Sequence, residues 1–392
     1  MSESIIPVGF SAKEMSERLE RVRSAMAVEQ VDALIVLAPD SQYWLSGLES
    51  FISGVLPQAL IVPGNRNKPP SLVMWDADVP LGKATANIEH IESYRFGVDD
   101  PVRSFRLALD ASVPDAKIVG FDAGSRAVPY TLGTALVEAL SPANCIDCSA
   151  ILADARLVKS DAELAILRRA GTFANAGLSA AIAHAHPGTT ERQLAAEIEY
   201  AMRFAGSDYP SIPTELASGS RSVLVHGTPS HRILQAGDFV HVEVGGVEQR
   251  YNAVGLQTIQ IGGGNSSQFG ARLYDVARAC LSAGLGAIRP GIVARDVEAP
   301  ALAVLGEAGL GDAFQMRFGY GVGAGYPPTW LDPFQITRTS TQTLEPGIAF
   351  VLHACLLDES NDVGVVVGGT FAVTNTGIES IAGAGPVELH VT

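Results

Sequence analysis

Near the start of the chain, apolar residues recur at Met15, Leu19, Val22 and Met26. Spacings of three and four predict an amphipathic helix over Ala12–Val28. The pattern then shortens. Val31–Leu37, Ala59–Val62, Ser71–Trp75 and Lys117–Phe121 are brief apolar runs of strand character, with helical periodicity over Val102–Ala111 and Thr131–Leu140 between them. Short strands alternating with helices predict an α/β domain over residues 1–155. The second region, 156–392, opens differently. Ser160-Asp161-Ala162-Glu163 has the capping-box form ahead of an Ala/Leu-rich helix ending near His186, and Thr190 to Gln193 offers a second cap, for a helix ending near Ala205. Beyond Tyr209, strands and Gly-rich turns dominate, interrupted by helices near Gly270–Ile288 and Arg295–Gly306. Helices followed by antiparallel-looking strands predict an α+β domain.

Within that domain, Phe239 to Val244 alternates cleanly. Period two puts Val240, Val242 and Val244 on one face and Phe239, His241 and Glu243 on the other. Gly245-Gly246 offers a turn, and Tyr251–Ile261 reads as the return strand. A Glu in mid-strand among valines is unusual, because carboxylates are rarely buried without a partner; the plain alternative is a strand with a polar, half-exposed outer face. His226 sits in a turn just upstream, followed by His231, and either reads equally as a solvated loop residue. Downstream, Phe318 to Pro328 alternates glycines with larger residues. It lacks the Gly-Lys-Ser/Thr of a phosphate loop and the strand-to-helix context of a dinucleotide fingerprint, so no nucleotide cofactor is expected. His353 lies in the apolar run Ala349–Cys355, where a core histidine bonded to backbone is the simpler reading.

Composition narrows the partners. The 392 residues carry 27 Lys+Arg against 42 Asp+Glu, a formal charge of −15. Nucleic acid and anionic membranes both demand clustered Lys/Arg, so neither is expected as a partner. The apolar stretches are broken by charge or Pro well before the roughly 18 residues a membrane span needs. The N-terminus, Met1 to Phe10, lacks the basic and apolar regions of a signal peptide, and a cytoplasmic location is expected. Cys145 and Cys148 form a C-x-x-C, but neither further zinc ligands at short spacing nor a strand-to-helix redox context follows. Free thiols are expected.

The order of segments resembles the creatinase/prolidase/methionine aminopeptidase family, whose catalytic domain has the "pita-bread" fold. Arg156 to Leu164 looks like that family's lead into its first catalytic helix. His226-Gly227-x-Pro229, Leu234-x-x-Gly237-Asp238 and the hairpin over 239–258 resemble its central block, and Leu344 to Phe350 resembles the turn before a later active-site strand. The resemblance implies an α/β creatinase-type N-terminal domain and an α+β pita-bread catalytic domain. It also implies five metal-ligand positions, two Asp, one His and two Glu. Carried over, these fall at Glu243, Val254, Tyr320, His353 and about Gly368. Val and Gly offer no donor and Tyr is a poor one, so the metal centre is expected to be lost.

Loss of the metal is shared by a branch of that family. Creatinase is similar at His226 and in Phe-Gly-Tyr-Gly. Ectoine hydrolases are similar at the Glu243 strand, at Arg250-Tyr251, at Asp208-Tyr209-Pro210 and in Gly-Tyr-Pro-Pro-x-Trp from Gly325 to Trp330, although they keep a Glu near the position of Gly368. The resemblance therefore implies metal-free hydrolysis of a C–N bond in a small amidine, guanidine or cyclic amide. Glu243 would be nucleophile or base and His226 the proton shuttle, with Tyr320 and His353 as donors or orienters in the same cleft. Asp208, Tyr209, His231, Tyr251, Tyr326 and Trp330 are candidate substrate contacts, the aromatics as a wall for a compact cation. By the same resemblance the chain is expected to form a homodimer whose partner brings Trp44 or Phe51 to the pocket. A catalytically silent binding protein and a peptidase with remodelled metal binding stand as alternatives.

Overall fold

The computed structural model describes residues 9–264, 267–314, 316–383 and 385–392. The stretch read above for a signal peptide falls mostly on residues 1–8, outside the described residues. Contacts divide the chain into two units, Met1–Arg156 and Leu157–Thr392.

The first unit carries strands β1 (Ala33–Val36), β2 (Ala59–Pro63), β3 (Ser71–Trp75), β4 (His90–Tyr94), β5 (Ile118–Phe121) and β6 (Asn144–Asp147). Its helices are α1 (Ala12–Val28), α2 (Pro39–Ser46), α3 (Val79–Thr85), α4 (Pro101–Ser112), α5 (Tyr130–Leu140) and α6 (Ser149–Leu157). The sheet order is β4-β3-β2-β1-β5-β6, with β2 antiparallel to both neighbours and the other pairs parallel. Alternation along β1 serves both faces. Leu34 and Val36 pack with Val22 and Met26 of α1, while Ala33 and Ile35 pack with Phe105 of α4 and Leu136 of α5. The periodicity does not find β4 and β6. They are edge strands built from residues such as His90, Glu92, Asn144 and Asp147, which carry no apolar alternation. Cys145 lies on β6 and Cys148 just beyond it, both free. Burial pushes both thiols up, Cys148 to about 11, which withholds the thiolate that redox chemistry requires.

In the second unit, helices α7 (Asp161–His184), α8 (Glu191–Phe204), α9 (Gln268–Ala287) and α10 (Arg295–Ala308) cover one large sheet. Its strands are β7 (Glu215–Ser218), β8 (Phe239–Glu248), β9 (Tyr251–Gln260), β10 (Gly319–Val322), β11 (Leu331–Ile336), β12 (Ala349–Asp358), β13 (Val363–Thr374), β14 (Gly377–Ala382) and β15 (His390–Val391). The path runs β11-β10-β12-β13-β9-β8-β7, with β14 beside β13 and β15 beside β9. Both capping boxes form. Ser160 accepts from the Glu163 amide while Glu163 accepts from the Ser160 amide, and Thr190 and Gln193 do the same for α8. Val240, Val242 and Val244 pack on Leu178 of α7 and on Leu194 and Ile198 of α8. Leu352, Leu356 and Val365 pack on Leu273 and Leu281 of α9 and Val297 of α10. The α/β and α+β classes read from the sequence are both present.

One local expectation is overturned. Gly245-Gly246 does not turn the chain; β8 runs on to Glu248, and the reversal is made by Gln249 and Arg250, at φ of 47° and 63°. The two glycines serve packing instead. A Cβ on Gly245 would lie 2.9 Å from the ring of Trp330, and one on Gly246 would run into the α7 backbone at Ala170 and Ala174. Positive φ at two non-glycine residues costs on the order of 1 kcal/mol or more each, and Arg250 offsets it through its side chain. Its guanidinium donates to Tyr209 O, Ser211 Oγ and Gly325 O at 2.9 to 3.0 Å. No helix among the described residues is long and apolar enough to cross a membrane.

Candidate active site

The face of β8 turned away from α7 and α8 lines a cleft of about 70 Å³ within the second unit. β7 and β8 contribute Glu215, His241 and Glu243; the β10 region contributes Arg317, Tyr320 and Trp330; β12 contributes His353 and Cys355; and His226 enters from an exposed turn. Register explains the meeting. Glu243 and Tyr320 are separated by 77 residues, yet strands on either side of the central β12, β13 and β9 direct their side chains into one space. Tyr320 Oη donates to Glu243 Oε1 at 2.8 Å, and Trp330 Nε1 donates to Tyr320 Oη at 3.1 Å. Gly245 makes room for this relay, since any side chain there would displace the Trp330 ring. The His353 ring lies 5.8 Å from that of Tyr320, and its Nδ1 is buried without a hydrogen-bond partner among the described residues.

Burial sets the charge states. It pushes the carboxyls of Glu243 and Glu215 above the ordinary carboxylate range. For Glu215 the facing charge of Glu243 adds to the effect, whereas for Glu243 the Tyr320 hydrogen bond and Arg317 pull back. Burial lowers His353 to about 3, helped by the positive charge of Arg317, and lowers His241 to about 4. Both imidazoles are therefore neutral near pH 7. Cys355 is pushed up to about 12 by burial and by the two carboxyls, so it is a thiol, not a nucleophile. Tyr320 is raised well above its usual value, by burial and then by Glu243, and serves as a donor. The site thus places two carboxyls of raised proton affinity beside the neutral imidazoles of His241 and His353 and the guanidinium of Arg317.

Of the residues singled out in the sequence, Glu243, His226, Tyr320, His353 and Trp330 share this cleft. The others lie elsewhere, and the proposed aromatic wall is not formed. Tyr251 is fully buried and its hydroxyl donates to Glu163 at 2.7 Å. Tyr209 and Tyr326 hold the Arg250 guanidinium, 3.8 and 4.9 Å from their ring centres, so the cation they bind belongs to the chain. Asp208 accepts from the Gln249 amide in the hairpin turn. His231 is exposed and contacts Arg192 at 2.8 Å. In the first unit Phe51 is a surface residue, 70% exposed, while Trp44 is 1% exposed in the core and has no surface to offer a partner. The sequence reading missed Glu215, Arg317 and Cys355 as cleft residues. Glu215 carried a signal, a carboxylate in the short apolar strand Glu215-Leu216-Ala217, the same anomaly that marks Glu243. Arg317 carried none.

Comparison with known proteins fits this architecture. Residues 165–375 match metallopeptidase family M24, and residues 18–158 match the creatinase/prolidase N-terminal domain. The chain belongs to family M24. It is 26% identical to an Xaa-Pro dipeptidase of Pyrococcus horikoshii, over 85% of this chain and 90% of that one. It is 25% identical to the ectoine hydrolase of Halomonas elongata, over 96% and 97%. Among solved structures, the dipeptidase PepE of Mycobacterium ulcerans superposes with a TM-score of 0.82 at 26% identity, covering 97% of this chain and 99% of that one.

The family's name implies a metal, and the donor set of this chain does not fit one. Of the five corresponding positions only Glu243 and His353 carry good donors. Val254 is fully buried within β9, opposite Gly245. Gly368 pairs with His353 across β12 and β13, and a Cβ there would lie 2.6 Å from the Cβ of His353. No side chain fits at 368 without moving the strand beside it. Tyr320 occupies one oxygen of Glu243 with its own hydroxyl. Among the described residues no three His, Cys, Asp or Glu side chains are grouped to hold an ion.

Proposed function

We propose that this M24 chain hydrolyses a C–N bond in a compact amidine, guanidine or cyclic amide without a metal ion, with Glu243 as the reacting carboxylate. The observation that carries the reading is the hydrogen-bonded relay from Trp330 through Tyr320 to Glu243, built where the family's ligands would stand and leaving the second oxygen of Glu243 without a protein hydrogen bond among the described residues. Acting as base, Glu243 takes a proton from water, and the new hydroxyl adds to the electrophilic carbon. The C–N bond then breaks as His226 delivers a proton to the leaving nitrogen. Acting as nucleophile, it forms the C–O bond itself, the C–N bond breaks as His226 delivers a proton to the leaving nitrogen, and water then adds to the same carbon and releases the carboxylate. His226 suits the shuttle because its ring nitrogens can both donate and accept a hydrogen bond, and because it reaches the cleft from an exposed turn. Tyr320 holds the carboxylate in place, and His353, neutral and with Nδ1 unpartnered among the described residues, offers a further hydrogen bond to the bound molecule.

The ectoine hydrolase relative supports the small-molecule class. The Xaa-Pro dipeptidase relative favours a second reading, a peptidase with a remodelled metal site. One set of measurements separates them. After screening creatine, ectoine and cyclic amides for turnover, Glu243→Gln should lower kcat by about 10²–10⁴-fold while the thermal midpoint is kept. Purified protein should contain no stoichiometric divalent metal, and chelators should leave turnover unchanged. Tightly bound metal with chelator-sensitive dipeptide cleavage would establish the peptidase instead.

A further inference from the structure

The reaction described above makes no use of Glu215, yet its placement is hard to reconcile with folding alone. β7 pairs antiparallel with β8 so that Glu215 stands directly opposite Glu243, a relation that puts side chains about 5 Å apart at Cβ. Both line the cleft. Glu215 is 8% exposed, its strand neighbours Leu216 and Ala217 are fully buried, and no hydrogen bond reaches its carboxyl among the described residues. Like charges placed opposite each other in a sheet destabilise it, and a buried carboxyl without donors is costly. An apolar residue at 215 would serve the sheet better. Two carboxyls facing one small space match the N–H groups and the single positive charge of a planar nitrogen cation, because carboxylates accept paired N–H donors of this geometry well.

We propose that Glu215 is a substrate-binding residue that forms with Glu243 a two-carboxyl clamp for an amidinium or guanidinium group. The clamp deepens, and rests on, the reading of Glu243 as the reacting carboxylate: Glu215 holds the cation while Glu243 acts on its carbon. His241 and His353 are neutral and add no competing positive charge, and Cys355 stays protonated. Arg317 lies in the same cleft, with Nη1 on Gln335 at 3.3 Å and Nε buried without a partner among the described residues.

The test uses the purified full chain and acetamidinium chloride as probe, with neutral acetamide as control, in titration calorimetry. Wild type should bind acetamidinium more tightly than acetamide, and Glu215→Gln should weaken acetamidinium at least tenfold while leaving acetamide unchanged. Its thermal midpoint should equal or exceed that of wild type, since a like-charge pair is removed; a residue needed only for structure would lower it. With a turned-over substrate, KM should rise by a larger factor than kcat falls. Should the Gln variant fold poorly, Glu215→Leu replaces it and makes the same binding prediction. Equal affinity for acetamidinium in wild type and variant, or none in wild type, overturns the clamp. Failure of the catalytic reading shows separately, as undiminished turnover in Glu243→Gln.

Discussion

Two carboxylates of the second unit, Glu191 and Glu243, are treated in opposite ways. Glu191, the first residue of α8, is fully buried. It accepts from the amide and hydroxyl of Ser218 at 2.9 and 2.7 Å and from those of Ser230 at 2.8 and 2.6 Å, and it is paired with Arg221. Burial alone would raise its pKa, but these donors together bring it below the usual carboxylate range. Among the described residues Glu243 has one donor, Tyr320, and a second carboxyl in front of it, and it is raised. The saturated carboxylate ties the end of β7 to Ser230 and so closes the loop that carries His226. The undersupplied one keeps capacity for something outside the chain. Burial therefore does not mark function by itself; the number of donors supplied to a buried charge does.

The largest effect that would break this contrast is on stability. Glu191→Ala strands Arg221 and the Ser218 and Ser230 amides, and should cost about 3–5 kcal/mol in urea unfolding. Glu243→Gln, in the same assay, should cost little or stabilise. Equal losses would mean that Glu243 too is structural.

Overpacking gives a smaller effect. Gly368→Glu restores a carboxylate at a family ligand position, but its Cβ meets His353 and the Leu352 carbonyl. It should cost about 1–3 kcal/mol, and equilibrium dialysis with manganese or zinc should show no gain in binding. Stoichiometric uptake at wild-type stability would show that only one side chain separates this site from a metal centre.

The pH dependence of stability sharpens the comparison further. His241 and His353 have folded values of about 4 and 3, below the ordinary 6.5, so the unfolded chain binds more protons between those limits. Their contribution is present above pH 6.5 and is lost as pH falls toward 3. Glu191, lowered from 4.5, also loses its contribution in acid. Glu215 and Glu243 act in the other sense. With folded values above 4.5, they favour the folded state most below pH 4.5 and lose that contribution as pH rises toward neutrality. Thermal midpoints measured across pH should form a dome, and Glu215→Gln should flatten only its neutral side.

Much of this was legible without coordinates. The capping residues Ser160 and Thr190, the 3.6-residue rhythm of α1 and α4 and the two-residue rhythm of β8 are local, and each settles its element from neighbours in sequence. The valine face of β8 follows from the same rhythm, as does the identification of His241 and Glu243 as its opposite face. The glycine pair at 245–246 misled because glycine permits both a turn and a close approach, and sequence does not distinguish the two. The tyrosines misled for a related reason: an aromatic ring accepts any cation, and Arg250 lay nearer than a ligand.

The sequence by itself determined the element types, the two-domain layout and the carboxylate that stands out in an apolar strand, because these depend on residues within a few positions of one another. Only the tertiary structure decided that Glu215 faces Glu243, that Tyr320 and Trp330 support it and that Arg250 occupies the other aromatics. Those facts depend on strand register across tens to hundreds of residues. Whether a buried charge is satisfied is settled by the partners that register delivers, and no local pattern records them.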